Sequence, residues 1–232
     1  MIPLASIAAY LESALETARF GDDQNGVFIP SARPVRRIGL ALEPWAEIGA
    51  WAQDEGLDAL WLHRPWHLPA LSGDIGVLAH HLAFDAWLTT GYNPRLAVVL
   101  GMRDILPFGE RDGVPLGMAG DITPTDAETY ISTVAEIFGG APEVVHGAHA
   151  IIRRVVVVNA MTDALVRAAA NGGAQFYLTG QARKPAERAV GETGIAVAAV
   201  GHAACERWGM RALAGMLRER WANLTVILAP AR

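Results

Sequence analysis

The feature that most constrains the fold is a regular alternation of short apolar runs with amphipathic segments. Residues 151–159, 175–179, 195–200 and 224–228 are apolar runs of strand length, and the segments between them have apolar residues at helical spacing. Strands that alternate with helices pair in parallel, because each helix returns the chain to the same end of the sheet. The pattern therefore predicts an α/β fold with a largely parallel sheet.

Two stretches of the chain repeat one pattern. VRRIGLAL and GLDALWLHRP, within residues 35–65, match IRRVVVVN and GGAQFYLTGQ, within residues 152–181. Each is a strand led by two arginines, then a helix, then a strand led by glycine. We interpret them as two βαβ-type lobes related by a weak internal duplication. The predicted first lobe is 1–124 with the C-terminal segment 222–232, and the second is 125–221.

Local patterns predict the ends of some elements. Apolar residues at helical spacing predict a helix over 3–19, followed by a polar loop at 21–26. Thr125 and Glu128 have the spacing of a capping box, which predicts a helix from there to about residue 138.

Composition excludes several functional classes. Hydrophobic residues make up 52% of the 232 residues, and the net charge of −5 argues against a nucleic-acid binder that works by bulk electrostatics. Lys184 is the single lysine and Cys205 the single cysteine, so Schiff-base chemistry, a phosphate-binding loop and an internal disulfide are disfavoured. The most apolar run, 194–205, is shorter than the roughly 20 residues of a membrane span. We expect a cytoplasmic protein with no membrane partner.

Four histidines directly follow predicted strands: His63, His80, His81 and His202. In open α/β folds, ligands bind outside the carboxyl ends of the strands. The topology is therefore expected to bring imidazoles to one edge of the sheet.

Two of these histidines have an acidic residue four positions later. His81 precedes Asp85, and His202 precedes Glu206, so each pair shares one face of a helix. Imidazole and carboxylate together suit zinc, manganese, iron or nickel. A histidine at a strand end is more often structural, and the spacing alone leaves the metal site and the structural interpretation equally open.

Five segments in order resemble the Nif-three-like (YbgI-type) family, also known as GTP cyclohydrolase I type-two proteins. They are DDQNGV at 22–27, LWLHRP at 60–65, VLAHHLAFDAW at 77–87, GAQFYLTGQ at 173–181 and VGHAACERWGMRALAGML at 200–217. The resemblance implies the Nif-three-like fold, with two lobes around a metal cleft, and assembly as a homo-oligomeric ring, a hexamer. It also implies a dinuclear centre whose ligands are His63, Asp85, His202 and Glu206, with Glu206 bridging the ions and His81 beside them.

The chain departs from the family pattern at two positions of this site. Arg64 stands where the family has the second histidine of a pair, and a guanidinium cannot coordinate a cation. Gln181 replaces a glutamate. The chain is therefore interpreted as a divergent member that binds one or two metal ions, recruits His67 or His81 instead, or has lost the metal.

Two functions follow from the resemblance. The first is a metal-dependent hydrolase of a nucleotide or similar phosphorylated small molecule, in which His81 orients groups or accepts protons and Arg64 contacts the anionic substrate. The second is a non-catalytic metal-binding ring that serves as a scaffold, a metal store or a protein partner. Arg64 and Gln181 favour this alternative more than the family's usual residues would.

Overall fold

The computed structural model describes residues 1–146 and 151–230, and for 144–146 only the backbone. These residues form two compact units. The first comprises residues 1–84 and 209–232, and the second residues 85–208. The sequence placed the divisions near residues 124 and 221, whereas the structure divides the chain inside two helices.

Within the described residues, eight helices and eleven strands follow one another along the chain. They are α1 Leu4–Ala14, β1 Asn25–Ile29, β2 Arg37–Ala41, α2 Ile48–Asp54, β3 Ala59–Leu62, β4 Gly76–His80, α3 Leu82–Leu88, α4 Pro94–Val99, β5 Arg103–Arg111, β6 Val114–Asp126, α5 Ala127–Phe138, β7 Glu143–His146, β8 Ile151–Val158, α6 Asp163–Asn171, β9 Phe176–Thr179, α7 Glu187–Thr193, β10 Ala196–Ala199, α8 His202–Arg220 and β11 Thr225–Leu228.

The first unit is built on a five-stranded sheet in the order β1-β4-β3-β2-β11. The strands β11, β2, β3 and β4 are parallel, and β1 lies antiparallel on the edge of β4. β3 and β4 are buried along their whole length, as expected for central strands covered on both faces. The α/β fold predicted from the alternation is confirmed.

The second unit has a six-stranded mixed sheet in the order β5-β6-β8-β9-β10-β7. The strands β8, β9 and β10 are parallel, and β7 lies antiparallel on the edge of β10. The strands β5 and β6 form an antiparallel hairpin. Val156, Val158, Tyr177 and Val197 form a fully buried core with residues of the covering helices.

Each sheet contains the same hydrogen-bonded frame. In the first unit, Asp58 Oδ2 accepts hydrogen bonds from the backbone amides of residues 36 and 37, at 2.8 and 3.0 Å. In the second unit, Gln175 Oε1 accepts the corresponding bonds from residues 153 and 154, at 3.0 and 2.9 Å. Each side chain directly precedes an inner parallel strand of its sheet, β3 in the first unit and β9 in the second. The repeated pattern in the sequence thus corresponds to a repeated structural frame.

Three local predictions need correction. The first helix ends at Ala14 because Glu16 has a left-handed backbone conformation with φ 47°, and only a short 3-10 turn follows. The predicted polar loop ends in an edge strand, β1. The helix α5 is capped by Asp126 and not by Thr125, since Asp126 Oδ1 accepts the amide hydrogen of Thr129 at 2.8 Å. Among the described residues, no helix has both the length and the apolar character to span a membrane.

Candidate metal centre

His63 follows the buried strand β3 and is itself fully buried. Its Nδ1 lies 3.1 Å from the carbonyl oxygen of His80. A carbonyl oxygen only accepts hydrogen bonds, so Nδ1 carries the hydrogen and the lone pair of the neutral ring lies on Nε2. This is the arrangement found in metal-binding histidines, whose second nitrogen donates to the protein.

His81 is oriented by Asp23, a residue from the loop before β1. His81 Nδ1 lies 3.1 Å from Asp23 Oδ1, and Asp23 Oδ2 accepts the backbone amide hydrogen of Leu82 at 2.6 Å. One carboxylate therefore binds both the imidazole and the first amide of α3. With Nδ1 donating to Asp23, the lone pair of the neutral His81 ring also lies on Nε2.

Asp85 lies one turn after His81 on α3, as the i,i+4 spacing predicts. The rings of His63 and His81 are 5.0 Å apart between centroids. His63, His81 and Asp85 each offer one ligand atom, and these three atoms lie within 4.8 Å of one another. Two imidazoles and a carboxylate at this separation are a donor set that can hold a transition-metal ion.

His202 and Glu206 belong to the second unit. His202 is the first residue of α8, and its Nε2 lies 3.1 Å from Glu206 Oε1. Glu206 is only 5% exposed. Both line a cavity of the second unit, of about 370 Å³, which Asp85 also lines.

Cys205 lines the same cavity as Asp85 and Glu206. Burial is the main reason that the pKa of its thiol is raised to about 12; the negative charges of Glu206 and Asp85 also raise the pKa, and a hydrogen bond with Thr90 lowers it. Cys205 therefore stays a neutral thiol near neutral pH, in keeping with its interpretation as a small buried hydrophobe.

Among the described residues, the cluster of candidate ligands includes neither Arg64 nor His67. Arg64 Nη1 forms an ion pair with Glu43 Oε1 at 3.1 Å, and its guanidinium lies 5.8 Å from the centroid of the Trp66 ring. His67 is exposed and has a left-handed backbone with φ 59°. Of the two histidines considered as substitutes for the missing ligand, the structure brings His81 to the cluster.

His80 is a structural residue. Its Nδ1 accepts a hydrogen bond from Trp61 Nε1 at 3.0 Å, and the two rings are nearly parallel. Burial lowers the pKa of His80 to about 4, with the charge of Asp23 opposing the shift, so the ring is neutral. The Trp61 ring that stacks with His80 also stacks with His63.

Asp23 is the residue that sequence reasoning missed. It lies 58 positions before His81, in the segment with the weakest resemblance to the family, and no spacing rule links the two. The acidic residues of DDQNGV were the available signal. Their similarity to a family motif indicates where these acids lie in the family pattern, but it does not reveal that Asp23 contacts His81.

Comparisons with known proteins identify the relatives of this chain. The Duf34/NIF3 (NGG1p interacting factor 3) family profile matches residues 66–231. A protein of Neisseria meningitidis serogroup B named GTP cyclohydrolase 1 type 2 homolog is 28% identical over 232 residues, which cover 92% of each chain. A homolog of the same name from Pseudomonas aeruginosa is 27% identical, and the match covers 95% of this chain and 94% of the relative.

Solved structures show the same fold. The protein ybgI, described as of unknown function, superposes with a TM-score of 0.78 and 23% identity over 100% of this chain and 99% of its own. TTHA1606 from Thermus thermophilus superposes with a TM-score of 0.76 and 24% identity over 97% of both chains. The resemblance inferred from the five motifs is confirmed: the chain belongs to the Duf34/NIF3 family.

Proposed function

We propose that this protein binds one or two divalent metal ions through His63, Asp85, His202 and Glu206, with His81 in the ligand position that Arg64 cannot fill, and that it is a metal-dependent hydrolase of a nucleotide or similar phosphorylated small molecule. The proposal rests on one observation above all, the convergence of His63, His81 and Asp85 within 4.8 Å. The names of the curated relatives, GTP cyclohydrolase 1 type 2 homologs, agree with the substrate class.

His81 takes the ligand position that Arg64 cannot fill. Its Nε2 carries the lone pair because Asp23 accepts from Nδ1. His63 is prepared in the same way by the carbonyl of His80. Both imidazoles thus present the nitrogen that a cation needs without a change of tautomer.

The buried carboxylate of Glu206 provides negative charge next to His202. A buried carboxylate is costly unless a positive charge or hydrogen bonds compensate it. A divalent ion held here would supply that compensation and would activate water for attack near neutral pH. The protein's own contribution is to hold the ligands in place and to receive the substrate in the cavity that Asp85, His202 and Glu206 line.

The first test is the metal content of protein purified without an affinity tag, followed by turnover of a nucleotide panel with added manganese or zinc. We expect about one or two ions per chain in the wild type. Glu206→Ala is expected to lose metal-dependent turnover. Glu219→Gln, an exposed acid on the same helix α8, is the matched control and should behave as the wild type.

The outcomes separate the two functions. Metal-dependent turnover that Glu206→Ala abolishes supports the hydrolase. Metal bound without turnover supports the non-catalytic ring. Absence of metal in the wild type, with metal regained in Arg64→His, would indicate a site disabled by one substitution. Absence of metal in both would refute the ligand assignment.

We also propose that the protein is a homo-oligomer, a hexamer. Val98, Val99 and Leu106, on α4 and β5, are 72%, 51% and 58% exposed, and exposed apolar side chains on neighbouring elements are typical of an interface. Light scattering should then give a mass about six times that of the 24.7 kDa chain. A monomer mass would contradict the proposal.

A further inference from the structure

The cavity of the second unit contains more than the predicted metal ligands. Besides Asp85, His202 and Glu206, its lining includes Arg111 and Arg183. It therefore combines two carboxylates with two guanidiniums, which stay charged at every accessible pH. A lining of this kind suits a ligand that carries an anionic group in addition to a part that reaches a metal ion.

The topology explains why these residues meet. The last residues of the three parallel strands of this sheet, Val158, Thr179 and Ala199, lie side by side in register. The cavity is lined by the segments that follow these strands, 159–162 and 180–183, and by His202. This is the edge of a parallel sheet at which α/β proteins bind ligands.

Arg183 is placed by the loop after β9. Its backbone amide donates a hydrogen bond to Met161 Sδ at 3.4 Å, so the loop is fixed against the segment that follows β8. Arg111 is the last residue of β5 and pairs with Val114 across the hairpin. The two residues between them, Asp112 and Gly113, have φ 52° and 77°, which is the backbone of a tight two-residue turn.

Two other arginines of this unit are engaged by acids. Arg154 pairs with Asp121 at 2.7 Å, and Arg167 pairs with Asp163 and Glu192 at 2.8 and 2.7 Å. By contrast, within the described part of the chain neither the Arg111 nor the Arg183 guanidinium has an ion pair or a hydrogen bond. Their donors are available to a ligand in the cavity.

We propose that Arg111 and Arg183 form the subsite for the phosphate group of the substrate, in the cavity that the acidic metal ligands share. This inference rests on the proposed function and deepens it, because it assigns the recognition of the anion to residues other than Arg64. The Arg64 guanidinium is already paired with Glu43. Two guanidinium groups from separate segments can bind a phosphate group, because its three terminal oxygens share up to two negative charges and accept hydrogen bonds.

Gln181 fits the same subsite. It lines the cavity two positions before Arg183, at the place where the family pattern has a glutamate. A carboxylate there would repel a phosphate and would compete for the guanidiniums, whereas the neutral amide can donate a hydrogen bond. Glutamine in place of glutamate thus weakens a metal-binding or acid–base role at this position and favours the binding of an anion.

The experiment measures binding of inorganic phosphate by calorimetry, with the protein as purified and again after treatment with a chelator. Hydrogen bonds to charged groups imply that Arg111→Gln and Arg183→Gln each weaken binding about tenfold or more. Gln181→Glu should weaken binding as well. Arg153→Gln is the matched control, since Arg153 is an exposed arginine of the same unit outside the cavity lining.

The chelated protein separates this inference from the metal hypothesis. Phosphate binding that persists without metal and depends on Arg111 and Arg183 supports the subsite even if the metal content proves to be zero. Absence of phosphate binding, or wild-type binding in both arginine variants, overturns it. Loss of phosphate binding in Arg64→Gln alone would also overturn it. Acetate binding as tight as phosphate binding would overturn it too, because it would indicate a general site for carboxylates. A thermal melt of each variant checks that it is folded before its phosphate affinity is compared with that of the wild type.

Discussion

Replacing Asp23 by asparagine tests how the candidate metal centre is prepared. In the wild type, one carboxylate accepts from His81 Nδ1 at 3.1 Å and from the Leu82 amide at 2.6 Å. Asparagine keeps a single acceptor oxygen, which we expect the Leu82 amide to retain, and it then faces His81 with an NH₂ group. Because an NH₂ group cannot accept, His81 must move its hydrogen to Nε2, and the atom that would bind metal loses its lone pair.

The expected loss of metal affinity can be estimated from other metal sites, in which the hydrogen-bond partner of a ligating histidine has been removed. Loss of the carboxylate behind a ligating histidine costs about 10–100-fold in metal affinity, or roughly 1.4–2.7 kcal/mol. The folding stability of the metal-free protein should change little, since asparagine keeps an acceptor oxygen for the Leu82 amide. The variant therefore separates metal affinity from folding.

The assay is a competition titration of Zn²⁺ against a chromophoric chelator near neutral pH, with a thermal melt of the metal-free protein beside it. Asp22→Asn is the control, because Asp22 is the neighbouring exposed acid and its substitution removes the same charge. We expect weakened binding only in Asp23→Asn. Equal zinc affinity in Asp23→Asn, Asp22→Asn and the wild type would refute the argument that Asp23 sets the tautomer of a metal ligand.

Three further predictions concern stability. Gln175→Ala removes the acceptor of two backbone amides and should lower the free energy of unfolding by about 1–3 kcal/mol in urea titrations, whereas Gln175→Glu keeps the acceptor and should lose less. His80 has a pKa of about 4 when folded and 6.5 in the unfolded chain, so the unfolded state takes up the proton first as the pH falls. The free energy of unfolding is therefore unaffected by the protonation of His80 above pH 6.5 and falls as the pH drops towards 4, by about 2 kcal/mol at pH 5. A His80→Gln variant whose stability has the same pH dependence as the wild type would contradict this. Gly117→Ala places a Cβ 2.1 Å from the Val157 carbonyl oxygen, and we expect a loss of about 3 kcal/mol or more. Gly140→Ala, which has open space around it, should melt as the wild type does.

Most of the fold could be predicted because local patterns determine it. Periodicity identified the parallel strands of both units, and the two arginine-led repeats indicated the repeated frame of Asp58 and Gln175. The edge strand β1 was missed because it starts in a polar loop, and its stability comes from pairing with β4, some 50 residues later. Periodicity reports which face of an element is buried and cannot report which distant strand will bind its edge.

The candidate site was predictable only in part. The i,i+4 spacing placed His81 with Asp85 and His202 with Glu206, because the residues of each pair lie one helical turn apart. Asp23 was not predicted, since its contact with His81 depends on how a loop folds over the start of α3. The engagement of Arg64 by Glu43 is equally invisible in the sequence, where the two lie 21 positions apart.

The position of β11 has a consequence for the order in which the chain can fold during synthesis. The strands of the second unit lie in one continuous stretch, and all of them have been made before β11. The first unit must wait, because β2 pairs with β11 through residues 225–228, at the far end of the chain. Until those residues leave the ribosome, β2 is an open sheet edge, and open edges bind other strands. The nascent first unit therefore keeps an open strand edge, and with it the opportunity for mispairing, until the last strand of the sheet has been made.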